Sequence, residues 1–255
     1  MRQSDGRLHI STLVNMAKTP RHVQHYAAHG LAESRGLELG RAVHLLALTE
    51  SGEAPPIVYP GPVRRGKEWD AFRATHQGAE IITRSEMADA EAIADGLRSD
   101  RLAMTYLGGT HELKIQWEWC GVPCSGAIDV WNAGEKRLVD LKTCPDASPA
   151  RFRWAARDLC YAAKMAWYRN GLILSGHTDE VREVALVVVP SGAPHIPAVY
   201  RISEYDLDEG LKACRAWIER WKVCRDAGVW PGWGEEPMDI QIYDTEDELD
   251  WGGVA

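Results

Sequence analysis

Between Glu112 and Trp119 the chain reads Glu-Leu-Lys-Ile-Gln-Trp-Glu-Trp, with Leu113, Ile115, Trp117 and Trp119 alternating with Glu112, Lys114, Gln116 and Glu118. A period of two sends successive side chains to opposite faces, so this segment predicts a half-buried strand. It commits the chain to a sheet, and a sheet with a dry face needs a layer packed on it. The following residues extend it. GVPCSG predicts a turn, 127–131 a second strand, NAGEKR another turn, and 138–143 a third strand.

Around this meander the pattern is helical. Ser11 predicts the cap of a short helix to Lys18, and Pro20 opens another that stops near Gly30. A third covers 33–48, with Leu37, Val43, His44, Ala47 and Leu48 on one side. Pro55, Pro56, Pro60 and Pro62 make 51–67 a loop, and helices resume at 68–76 and 86–98. After the meander, Ser148-Pro149 predicts the start of one long helix ending at Asn170-Gly171. Strands at 184–190 and 198–202 follow, then an amphipathic helix over 207–227 with Leu211, Cys214, Trp217, Ile218, Trp221 and Cys224 on one face. The expected fold is mixed α/β. A mostly helical part over 1–110 precedes a sheet-containing core over 111–234, both in one domain, with an acidic tail over 235–255.

The net charge of −8 bears on partners only once it is located. Glu235, Glu236, Asp239, Asp244, Glu246, Asp247, Glu248 and Asp250 follow Gly234 without a Lys or Arg, and these eight acids equal the whole imbalance. The remainder is neutral and can still carry a basic groove. Ile240, Ile242, Tyr243, Leu249 and Trp251 are interleaved in the tail, which suits a docking strip better than a plain solubilising one. No apolar run approaches the ~20 residues that span a bilayer, the N-terminus lacks a signal pattern, and the six cysteines do not form a disulfide framework. The expectation is a cytoplasmic protein with no membrane partner.

The chemistry concentrates in SGAIDVW and, ten positions on, LVDLKT. Asp140 and Lys142 leave the same face of their strand. They are embedded among Leu138, Val139 and Leu141, where an unpaired charge is expensive. Asp129 sits likewise between Ile128 and Val130. Each residue alone would suit an ion pair on a solvated sheet face or an edge charge. Together, with Glu112 on the preceding strand, they point to a hard divalent cation held by carboxylates, and Mg²⁺ suits such oxygen ligands.

Asp129 followed by Asp140-Leu141-Lys142 resembles the signature of the PD-(D/E)XK nucleases. The order of further motifs is similar to the RecE (exonuclease VIII-like) phage recombination exonucleases over about residues 9–172. These motifs are Gly40-Arg-Ala-Val-His44, then Pro62-Val-Arg64-Arg65-Gly-Lys67, then Glu68, Trp69 and Phe72, then the acid Glu112, the two catalytic strands and a helix ending in Lys164-Met-Ala-Trp-Tyr168. Lys164 stands where that group carries Gln; Lys cannot accept a hydrogen bond but can hold a phosphate.

The resemblance implies a restriction-endonuclease-like core and a 5′-to-3′ exonuclease acting on ends of linear double-stranded DNA in recombination or repair. It implies Asp129, Asp140, His44 and the Leu141 carbonyl as ligands of Mg²⁺, with Mn²⁺ as substitute. Lys142 would orient the attacking water and Glu112 would assist. Arg64, Arg65, Lys67, Arg153, Arg157, Lys164 and Tyr168 are the candidate DNA contacts. A RecT-like single-strand annealing protein is the implied partner, and a ring-shaped homo-oligomer the implied assembly. An iron–sulfur nuclease of the same fold would need a cysteine before Cys120, and a catalytically silent DNA-binding module would not need Asp129, Asp140 and Lys142 intact.

Overall fold

The computed structural model describes residues 6–48, 54–61, 63–234, 236, 237 and 239. Most of the acidic tail, with its interleaved apolar residues, lies outside them. Strand β1 (Leu8–His9) leads into α1 (Ile10–Leu13) and a 3-10 turn, Val14–Ala17, so the first predicted helix is split, and Ser11 caps neither piece. Helix α2 (Pro20–His29) has Thr19 as its N-cap and Gly30 at its end, and α3 (Arg35–Ala47) is capped by the Ser34 hydroxyl accepting from Leu37 N–H. The predicted proline-rich loop contains a strand, β2 (Ile57–Tyr59). After α4 (Lys67–Thr75), β2 pairs in parallel with β3 (Ile81–Thr83). A capping box of Thr83 and Glu86 then starts α5 (Arg84–Ser99), and α6 (Arg101–Tyr106) follows.

The meander comprises β4 (Thr110–Trp119), β5 (Val122–Asn132) and β6 (Arg137–Cys144). GVPCSG is not a turn. The hairpin closes on Cys120 and Gly121 alone, both with φ above +50° (53° and 69°), and Trp119 pairs with Val122 across it. The predicted long helix is two, α7 (Pro149–Asp158) and α8 (Tyr161–Leu174), broken where Cys160 takes a left-handed φ of 53°. Gly171 does not end α8. A Cβ there would stand 2.8 Å from Ile115 Cδ1 and 2.9 Å from the Trp117 ring, so the glycine lets α8 press on β4. Strands β7 (Glu183–Pro190) and β8 (Ala198–Arg201) and helix α9 (Glu204–Ala227) complete the chain.

The main sheet runs β1-β5-β6-β7-β8, with β4 on β5; β6 and β7 are parallel, the meander antiparallel. Helices cover both faces. Val184, Leu186 and Val188 of β7 join a core with α1, α8 and α9, while Ala185, Val187 and Val189 join another with α3 and α5. Burial on both faces explains why β7 is a continuous apolar run. This is the mixed sheet flanked by helices that the sequence predicts. Among the described residues no helix is long and apolar enough to cross a membrane.

Candidate metal centre

The site forms where two strands part. Strands β5 and β6 pair at Val130↔Val139, Trp131↔Leu138 and Asn132↔Arg137, but the ladder goes no further; nearer its start β5 pairs with β1 instead. Continuing that register places Asp129 opposite Asp140 at the mouth of the fork. Across the other edge of β5, His111 pairs with Val130 and Leu113 with Ile128, a register that brings Glu112, between them, opposite Asp129. Glu112 has φ 51°, a left-handed conformation that costs a non-glycine residue roughly 1 kcal/mol or more. Glu112, Asp129 and Asp140 thus stand in a row across three adjacent strands.

The fork exposes backbone groups that a ladder would satisfy, and side chains take them up. Asp129 Oδ2 accepts from Leu141 N–H at 2.8 Å. The Leu141 carbonyl accepts from His44 Nε2 at 2.8 Å and Lys142 Nζ at 3.2 Å. His44 reaches it because α3 crosses β6 closely at Gly40, one turn earlier, where a Cβ would stand 3.1 Å from Thr143 Oγ1. That gives the Gly-x-x-x-His spacing a physical reason. The other ring nitrogen of His44, Nδ1, lies 3.7 Å from Asp129 Oδ2.

Lys142 forms an ion pair with Asp140, whose residue is 7% exposed. Burial first, and the Asp129 charge second, push the Asp140 carboxyl above its ordinary pKa against the pull of Lys142. Burial alone would lower the Lys142 ammonium, but Asp140 and Asp129 outweigh it and hold it above the usual lysine value. Lys142 therefore stays charged at neutral pH and is a donor there, not a base.

The residues present fit a divalent ion. His44, Glu112 and Asp129 offer ligand atoms all within 4.8 Å of one another. Asp140 Oδ2, buried beside them, has the Lys142 ammonium as its ion-pair partner. The imidazole of His44, the carboxylates of Glu112 and Asp129 and the Asp140 carboxylate beside them form a nitrogen-and-oxygen donor set that a divalent cation completes. Glu112 sits in the tight cluster where the sequence favoured Asp140. The Leu141 carbonyl already accepts two donors and would join an ion's shell only by releasing one.

A cavity of about 1100 Å³ is lined by His44, Glu112, Leu141, Lys142, Tyr161 and Lys164 among others, with Asp129 and Asp140 outside that lining. Tyr161, absent from the sequence reading, lies between the two lysines, with Lys142 Nζ 5.7 Å and Lys164 Nζ 5.1 Å from its ring centroid. The helix break at Cys160, which places it there, has no glycine or proline to announce it. Burial and the nearby Lys142 charge hold Lys164 below the ordinary lysine pKa.

The other expected DNA contacts disperse. Arg64, with its side chain 18% exposed, pairs with Glu38 at 2.7 Å and also with Glu86, tying α3 to α5; it is not a free phosphate grip. Tyr168 is outside the cavity lining and packs its ring against Gly126; burial first, then Asp140 and Asp129, raise its hydroxyl pKa. Arg65 and Lys67 are exposed at the start of α4, and Arg153 and Arg157 on α7; none of the four lines the cavity.

Residues 9–240 match the family described as "PDDEXK-like domain of unknown function (DUF3799)". Among solved structures, the fold is similar to one described as "Putative exonuclease" from Eubacterium rectale. The TM-score is 0.65 at 15% identity, over 93% of this chain and 91% of that one. A "phage related exonuclease" from Haemophilus somnus aligns at a TM-score of 0.40 and 11% identity, over 88% of this chain and 96% of that one, too remote a likeness to carry an argument. No curated protein matches the sequence.

Proposed function

The chain belongs to the PDDEXK-like domain family, and we propose that it is a divalent-metal-dependent DNA nuclease that digests linear duplex from its ends. The observation that carries this reading is the row Glu112, Asp129 and Asp140 at the strand fork, with the His44 ring and the partly buried ammonium of Lys142, both hydrogen-bonded to the Leu141 carbonyl, beside it. Phosphodiester hydrolysis needs an acidified water and compensation for charge gathering on the phosphorus oxygens. When bound, Mg²⁺ or Mn²⁺ supplies both kinds of chemistry. Asp129, Asp140, Glu112 and His44 would hold it. Lys142 donates to the attacking water or a phosphoryl oxygen, where a fixed positive charge in a partly buried site is most effective. Lys164, on the same cavity wall, places a second ammonium for the backbone phosphates.

DNA as substrate, 5′-to-3′ polarity and a role in recombination are supported by the motif order of residues 9–172. The Eubacterium rectale structure is described as a "Putative exonuclease", which accords with digestion from ends. A RecT-like annealing partner and a ring-shaped oligomer rest on that resemblance alone. The test is digestion of linear duplex labelled at either 5′ or 3′ ends, beside the same DNA as a closed circle. Early release of the 5′ label with the circle intact is expected. Cutting of the circle at the rate of the linear form would make the enzyme an endonuclease.

A further inference from the structure

Helix α7 carries a group that the metal site does not use. Trp154 is 52% exposed, and the guanidinium carbons of Arg153 and Arg157 lie 5.2 and 5.8 Å from its ring centroid. Both distances are within the ~6 Å of a cation–π contact, and the 52% exposure leaves much of the ring open to solvent. Among the described residues neither forms an ion pair, so both charges are available to a ligand, as are those of other exposed arginines such as Arg151 on the same helix. Single exposed aromatics are common on protein surfaces. One held between two unpaired guanidinium groups is a different object, with a π face and two positive charges on one short helix.

The position of α7 gives the group a purpose. Cys144 and Pro145, shortly before α7, and Leu159 and Tyr161, just after it, line the cavity, so the chain runs from the cavity wall into α7 and back to it, although no residue of α7 itself lines the cavity. Phe152 fixes the helix from below, stacking on Tyr200 at 5.2 Å and tilted on Tyr161 at 6.0 Å; Tyr161 is the ring beside Lys142. We infer that Trp154, between Arg153 and Arg157, is a stacking platform for an unpaired nucleobase of single-stranded nucleic acid beside the cavity mouth, the two arginines taking the flanking phosphates. Duplex DNA hides its base faces within the stack, whereas an unpaired base offers one that an indole on an exposed helix can meet. The choice of nucleic acid rests on the nuclease reading; the geometry itself calls for a polyanion bearing flat rings.

The test measures binding rather than cleavage, so it stands apart from whether the metal site turns over. The full-length chain without divalent metal is titrated with a fluorescent single-stranded oligodeoxynucleotide and with a blunt duplex of equal length. Trp154→Ala should weaken single-strand binding about tenfold, as loss of one stacked base does, with less than a twofold change for the duplex. Trp154→Phe should restore most of it. Replacing both arginines by alanine should flatten the salt dependence of single-strand binding by about 1.4 in log–log slope, two phosphates' worth. Equal losses for single strand and duplex, or wild-type affinity in Trp154→Ala, would overturn the inference; the latter with a flattened arginine slope would leave phosphate contacts alone.

Discussion

Replacing Lys142 by methionine removes the charge that balances Asp140 while keeping much of the stem volume. The Lys142 side chain is 23% exposed and that of Asp140 10%, so the pair is mostly buried. Removing one partner of a buried pair costs about 3–5 kcal/mol, because the other is left uncompensated; the residual exposure puts this pair near the lower end. For a domain of this size 1 kcal/mol shifts Tm by about 2–4 °C, giving a fall of about 6–12 °C at pH 8. The deficit should shrink at lower pH. Burial and Asp129 already raise the Asp140 carboxyl, and losing Lys142 raises it further. An acid whose folded pKa lies above its unfolded one contributes stability at low pH that is lost as pH rises through the folded value. Thermal melts at pH 8 and pH 5 of Lys142→Met, Asp140→Asn and the double variant make the assay. The double variant should recover much of the loss, since two uncharged side chains of similar volume replace an orphaned charge. A Tm unchanged by Lys142→Met, or a double variant no better than the single one, would refute the coupling. Nuclease turnover should vanish in Lys142→Met whatever the melt shows, because the proposed role of Lys142 belongs to the transition state.

Mg²⁺ or Mn²⁺ at one hundred times its dissociation constant should stabilise the wild type by about 2.7 kcal/mol, and calorimetry should find no comparable binding to Asp129→Ala; equal binding would move the ion elsewhere. Lys164→Gln should keep DNA cleavage but lower the salt sensitivity of duplex binding, read as a shallower slope of affinity against salt. The same change relieves a charge that burial disfavours, so Tm at neutral pH should not fall. Gly171→Ala drives a methyl into Ile115 and Trp117 and should cost about 1–3 kcal/mol of stability in denaturant melts.

The sheet was legible where burial alternates or is total. Leu113 to Trp119 carry a period of two, and 184–189 form an unbroken apolar run whose both faces are covered. Strand β2 was hidden because its three residues lie among prolines, and the hairpin was misplaced because Pro123 sits inside β5, paired opposite Glu118. At Cys160 and Gly171 the local signal pointed the wrong way. The first bends the chain without a glycine, and the second is a packing residue whose reason lies on β4. Asp129, Asp140 and Lys142 stood out because charges inside apolar strands have no local explanation. Glu112 was harder to place, since its weight comes from a φ of 51° and a register that brings it opposite Asp129. Arg64 read as a basic loop residue because its partners, Glu38 and Glu86, are remote in sequence.

The central claim is that the strand fork is a metal-dependent nuclease site. Its most direct test is the release of acid-soluble nucleotides from uniformly labelled linear duplex DNA by the purified chain, with Mg²⁺ and with chelator, beside Asp129→Ala under the same conditions. Release by the wild type only with Mg²⁺, and none by Asp129→Ala, is the predicted result. Release that persists in chelator, or that Asp129→Ala retains, would contradict the account.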